Sequence, residues 1–172
     1  MWDIASILNH MATSWINKLN LQEHPEGGYF VETYKSERTM NMEGYEGPRP
    51  VSSAIYFLLA GEQFSSFHRM KSDELWHFYA GSSLTLHIIE PGSGRLRELK
   101  LGADVNEGES FQIVVKSDSW LAASIVDHDS YSLVGCTASP GFDYRDWELG
   151  DMKMLAITYP QHKAIIEKYA RR

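Results

Sequence analysis

The sequence predicts an all-β sandwich or barrel with helical flanks. Three observations carry this. About nine short strand-like runs follow one another between residues 29 and 137. Tight-turn signals separate them, and no helical periodicity intervenes.

The elements follow in order. Residues 3–21 read as helical, because Ile4, Ile7, Leu8, Met11, Trp15 and Leu19 recur at helical spacing. Asp3 is a candidate cap, and Thr13 caps a second helix if the segment breaks in two. His24-Pro-Glu-Gly-Gly28 is a breaker cluster. Tyr29–Tyr34, rich in aromatic and β-branched residues, is a strand. Residues 36–50, polar and interrupted by glycine and proline, read as a loop. The further runs are 51–59, 63–68, 74–79, 84–89, 95–101, 111–115, 120–126 and 131–137. A loop carries Phe142–Trp147, and the chain then turns helical from about residue 150. Pro160 suits the first turn of a last helix, which Ile165, Ile166 and Tyr169 would pack down and Arg171 and Arg172 complement at its C-terminal dipole. The expected organisation is one domain over 1–172: a helical segment at 1–21, a β-core at 27–138 and a helical segment at 150–172.

Composition bounds the class. The 172 residues suit one domain and bury a core without covalent staples. The net charge of −7 disfavours nucleic acid polymers, whose phosphates need a basic footprint. No apolar run reaches the length of a membrane span, and no basic leader precedes an apolar stretch. A single cysteine, Cys136, excludes an intrachain disulfide framework and a multi-cysteine zinc site, so a cytoplasmic setting is expected.

The chemistry concentrates between Gly61 and Gly81. His68 and Glu74 fall on adjacent strands joined by a tight turn. Alternation puts His68 and Met70 on one face of the first strand, and Glu74, Trp76 and Phe78 on one face of the second. If that face looks inward, a His and a Glu converge in an aromatic-lined cavity, the usual form of a small-molecule site. His77 falls on the opposite face. Gln112, polar in an apolar strand, is a candidate ligand contact. Trp76 and Trp120 offer stacking platforms if they face inward.

This stretch resembles the first motif of the cupin superfamily, with His68, Met70, Glu74 and Gly81 at the positions of its two His, Glu and final Gly. A degraded second motif spans Gly108–Ser124, with Trp120 where that motif has His. A narrower resemblance is carried by His24-Pro-Glu-Gly-Gly-Tyr-Phe30, Glu32-Thr-Tyr34, Phe67-His-Arg69, Ser72-Asp-Glu-Leu-Trp-His-Phe78, Gly135-Cys-Thr137 and Pro140-Gly-Phe-Asp143. These motifs, over roughly residues 20–170, are similar to the cupin family called domain of unknown function 985. The resemblance implies an RmlC-like double-stranded β-helix, or jelly roll, and a homodimer. In related cupins an N-terminal strand often crosses to the partner, which would let Glu32 line the partner's pocket. The superfamily holds sugar-nucleotide epimerases, metal-dependent oxygenases and isomerases, and storage proteins, so fold alone leaves function open.

Cupin metal sites resemble three His and one Glu. Here Met70 and Trp120 stand at two of the His positions, and two ligands are too few for a typical catalytic metal. No metal and no cofactor are therefore expected. The expected site is a metal-independent small-molecule pocket for a sugar, nucleotide-sugar or nucleobase-like ligand. Its catalytic residues are His68 and Glu74, and its ligand contacts are Tyr56, Trp76, Gln112, Trp120, Tyr29 and Glu32. The enzymatic version is an epimerase or isomerase with His68 as base. The alternatives are a metal-dependent oxygenase or isomerase and a non-catalytic binding or regulatory cupin. Arg69 and Arg38 are available for a phosphate or carboxylate, and Cys136 is read as a packing residue.

Overall fold

Two antiparallel sheets pack face to face, and helices cover the outside of both. The structure, a computed structural model, describes residues 4–171. The expected cap Asp3 and the dipole partner Arg172 lie outside the described residues. The strands are β1 (Gln22–Glu23), β2 (Tyr29–Lys35), β3 (Thr39–Met40), β4 (Arg49–Pro50), β5 (Ser53–Ala60), β6 (Phe64–Met70), β7 (Asp73–Gly81), β8 (Leu84–Ile89), β9 (Leu96–Leu101), β10 (Gln112–Val115), β11 (Trp120–Ile125), β12 (Tyr131–Ser139) and β13 (Trp147–Leu149). The helices are α1 (Ile4–Leu19), α2 (Met152–Thr158) and α3 (Lys163–Tyr169). One sheet has the order β1-β2-β5-β12-β7-β10 and the other β13-β6-β11-β8-β9. Non-consecutive neighbours in both sheets give the jelly-roll topology.

All nine strand-like runs are strands. Segment 36–50, read as a loop, instead carries the short β3–β4 ladder, where Thr39 pairs with Pro50 and Met40 with Arg49. The Arg49 side chain is fully buried, pairs with both carboxylate oxygens of Asp146 and donates to the carbonyl of Glu46. That contact pins the segment to the 142–147 loop, a tie between distant residues that local composition does not reveal. The same loop ends in β13, which pairs with β6. The N-terminal segment is one helix, continuous through Thr13.

Inward-facing residues alternate along each strand. Phe57, Trp76, Leu86, Leu121, Val134 and Cys136 belong to the cluster between the sheets. The outer faces are covered as well. Ala12, Trp15, Ile16 and Leu19 of α1 pack on Leu58, Tyr131 and Leu133 of the larger sheet. Leu155 of α2 and Ile166 and Tyr169 of α3 pack on Phe67, Ile89, Trp120 and Ala122 of the smaller one. Burying each of Leu155 and Ile166 contributes about 2 kcal/mol. Among the described residues no helix is long and apolar enough to cross a membrane.

Candidate functional site

The open end of the sandwich holds two contiguous chambers of about 70 and 50 Å³. The inner one is bordered by His24, Glu26, His68, Glu74, Trp76 and Cys136. The outer one keeps Glu74 and adds Glu32, Phe30 and Tyr144, and Phe142 borders both. Tyr144, 60% exposed, stands at the mouth.

Alternation on β6 aims His68 and Met70 inward and Arg69 outward, and on β7 it aims Glu74 and Trp76 inward and His77 outward. His68 and Met70 border the inner chamber together with Glu74 and Trp76. His77 instead meets Gln112 and Thr137 on the outer face.

The breaker cluster supplies the rest. Residues 24–28 form a turn in which Gly27 donates to the carbonyl of His24 and His24 to that of Gly28. Gly27 has φ +116° and Gly28 +73°, a backbone region that side chains oppose. A Cβ on Gly27 would lie 2.2 Å from the Phe64 carbonyl oxygen. Ser66 N–H donates to the Glu26 carbonyl and locks the turn onto β6. This places the Glu26 carboxylate, 6% exposed, against the site. Its Oε1 accepts from Trp147 Nε1 at 2.7 Å and its Oε2 from Ser65 Oγ at 2.9 Å.

The hydrogen bonds fix both histidine tautomers. The Glu26 backbone N–H donates to His24 Nδ1 at 3.2 Å, so that nitrogen carries a lone pair and the ring proton sits on Nε2. Burial pushes the His24 pKa down, as do His68 and Arg171, and Glu26 opposes them. In His68, Nδ1 lies 2.8 Å from the Ser66 carbonyl oxygen, which can only accept. Nδ1 therefore holds the proton, and Glu26 Oε2 lies 3.3 Å from it. His68 Nε2 has no hydrogen-bond partner among the described residues. This is the arrangement in which a carboxylate orients an imidazole and its other nitrogen serves as base.

Glu74 is the acid counterpart. It is 7% exposed, and Trp76 Nε1 donates to its Oε2 at 3.3 Å. Burial pushes its pKa up to about 7, and Glu26 pushes the same way against His68 and Trp76. Near neutrality a proton is therefore shared between Glu74 and solvent, beside a base-competent imidazole. The Cys136 thiol borders both chambers. Burial, Glu74 and Glu26 all push its pKa up, so it stays protonated.

Of the ligand contacts expected from sequence, Trp76 borders the inner chamber and Glu32 the outer chamber of its own chain. Glu32 also pairs with Lys35 at 3.6 Å. Four others lie elsewhere. Trp120 packs with the C-terminal helices on the outer face of the smaller sheet, under the Arg69 guanidinium at 4.8 Å. Tyr56 and Tyr29 pack under α1 on the outer face of the larger sheet. Gln112 is exposed and contacts His77. Arg69 pairs with Glu148, away from the chambers. Sequence reasoning passed over His24 and Glu26 as site residues. The signal was present in His24-Pro-Glu-Gly-Gly28, two titratable residues beside two turn glycines.

The residues present do not fit the metal centre of the superfamily. Met70 offers a soft thioether, and Trp120 offers no donor and faces away. Among the described residues no three His, Cys, Asp or Glu side chains gather to hold a metal ion.

Comparison with known proteins gives concordant matches. The family model described as "Cupin superfamily (DUF985)" matches residues 13–150. The chain is 30% identical over 144 residues to the uncharacterized protein YML079W of Saccharomyces cerevisiae, covering 76% of this chain and 71% of that one. A hypothetical protein from Leishmania major superposes with a TM-score of 0.87 at 38% identity, covering 94% of this chain and 99% of that one. Protein SO0799 from Shewanella oneidensis superposes with a TM-score of 0.85 at 40% identity, covering 93% of this chain and 97% of that one.

Proposed function

The chain belongs to the DUF985 family of the cupin superfamily, and from that premise we propose that it is a metal-independent small-molecule cupin that moves a proton within its cavity. The ligand is sugar, nucleotide-sugar or nucleobase-like, and the reaction is of the epimerase or isomerase type. One observation carries this reading: among the described residues His68 Nε2 has no hydrogen-bond partner, Nδ1 binds the Ser66 carbonyl beside Glu26, and burial pushes the pKa of the Glu74 carboxyl in the same chamber up to about 7. His68 would take a proton from a weakly acidic C–H, and Glu74 would return one at another position or face. The two residues then exchange the proton through solvent and are restored. Such catalysis needs no metal, which suits the donor set.

The test is untargeted. A metabolite extract is incubated in D2O with the chelator-treated protein. One or more compounds are expected to gain a single deuterium with the native chain and none with Glu74→Gln or His68→Ala. Identical mass profiles for all three proteins would contradict the reading, and exchange that vanishes with chelator and returns with added metal would favour the metal-dependent alternative.

The setting proposed is cytoplasmic and the assembly a homodimer. The side chains of Tyr79, Phe111 and Val114, exposed around the β7–β10 edge of the larger sheet, support the second of these. Light scattering is expected to return twice the 19.6 kDa chain mass; the mass of a single chain would refute it.

A further inference from the structure

The small-molecule reading leaves open what charge the ligand carries, and the walls of the two chambers bear on it. Three carboxylates border them: Glu26, Glu32 and Glu74. Among the described residues no lysine or arginine does. Arg171 acts electrostatically on His24 but borders neither chamber. Lys35 lies beside Glu32 in the open, and the Arg49 guanidinium is spent on Asp146. His24 Nδ1 accepts a backbone N–H, the mark of a neutral ring. Two buried side chains border the inner chamber with unused acceptor capacity. Glu74 Oε1 and His68 Nε2 have no hydrogen-bond partner among the described residues, and both residues are more than nine-tenths buried. The rest of the wall is apolar or aromatic, with Ile55 and Phe142 bordering both chambers and Tyr144 at the mouth.

We infer that the cavity selects a small planar cation or a neutral nitrogen base that donates N–H groups, and rejects ligands carrying a phosphate or carboxylate. This rests on the small-molecule reading of the same site and narrows it. An anion brought here would lose its water, meet three carboxylates and find no lysine or arginine among the lining residues, so like charge in a desolvated site opposes it. A planar cation finds the opposite: acceptors at Glu74 and His68, and aromatic faces at Phe142 and Tyr144 for its ring. Of the ligand classes proposed above the nucleobase-like one then remains, and phosphate-bearing nucleotide-sugars do not.

Three probes of one shape separate the cases. Benzamidine, benzamide and benzoate share a ring and a planar head group and differ in charge. Isothermal titration calorimetry of the full chain measures each affinity, and the Trp76 indole N–H resonance, assigned through Trp76→Phe, reports whether the probe is in the inner chamber. Benzamidine is expected to bind, to shift that resonance and to exceed benzoate by about tenfold or more. Glu74→Gln is expected to weaken benzamidine by about tenfold, with Glu32→Gln at the mouth as a second and milder variant. The affinity should rise from about pH 6 to about pH 8 as Glu74 ionises. The groups that face it are His68, His24, Glu26, Glu32 and Cys136. Benzoate binding as tightly as benzamidine, with the resonance shifted, would overturn the charge class and leave the small-molecule reading standing. No probe shifting the resonance would overturn both. Benzamidine binding that neither glutamate variant weakens would place it on surface carboxylates and overturn the inference.

Discussion

Replacing Gly27 by alanine is expected to destabilise the protein by about 3 kcal/mol. At φ +116° the backbone sits where an L side chain is strained. The new Cβ would also approach the Phe64 carbonyl oxygen to 2.2 Å. The neighbour is backbone of β6, paired there with Ser124 of β11, so the turn must move. His24 and Glu26 ride on that turn and are held by it. The expected result is a lowered urea midpoint together with loss of cavity ligand binding under conditions where the variant is still folded. A midpoint equal to that of the native chain would show that the turn tolerates a side chain and does not lock the site.

The second large effect is on pH dependence. A carboxyl moved from its ordinary 4.5 to about 7 carries about 3 kcal/mol of linked stability. The sign follows from proton counting. Between those two values folded Glu74 holds its proton more often than unfolded Glu74 does. Stability therefore falls as pH rises through this window and levels off above about 7. Glu74→Gln cannot ionise and lacks this fall. The difference between the two stability curves should thus grow by about 3 kcal/mol from about pH 4 to about pH 8, with the variant gaining. Burial lowers the pKa of His24 and of His87, which acts in the opposite direction but is common to both proteins. Urea unfolding across the range checks it. Parallel curves would mean that Glu74 ionises in the fold as easily as in the unfolded chain.

The strands were legible because turns of glycine, serine and aspartate bracket each apolar run. The inward set on β6 and β7 was legible from strand alternation, so His68 and Glu74 could be placed on like faces of adjacent strands, but not that the two strands belong to different sheets. Alternation fails where both faces of a sheet are covered. All six residues of β11 are buried, so nothing local says which way Trp120 points. Tyr56 stands between Ile55 and Phe57 and is apolar enough to suit either side. It lies under α1, whose docking site is a long-range fact. Gln112 faces away from the buried Ile113, and that face is the outer one, where it meets His77. His24 and Glu26 belong to a turn, to which no periodicity applies. Their place in the site depends on two glycines and a hydrogen bond to Ser66 forty residues on.

The central claim is that a buried carboxyl holds its proton near neutrality beside a base-competent imidazole. NMR titration of the chain labelled with ¹³C at the glutamate carboxyls, with Glu74 assigned through Glu74→Gln, tests it most directly. The expected Glu74 midpoint is about 7, well above the exposed glutamates of the same spectrum. A midpoint within the ordinary carboxylate range, below about 5, would contradict it.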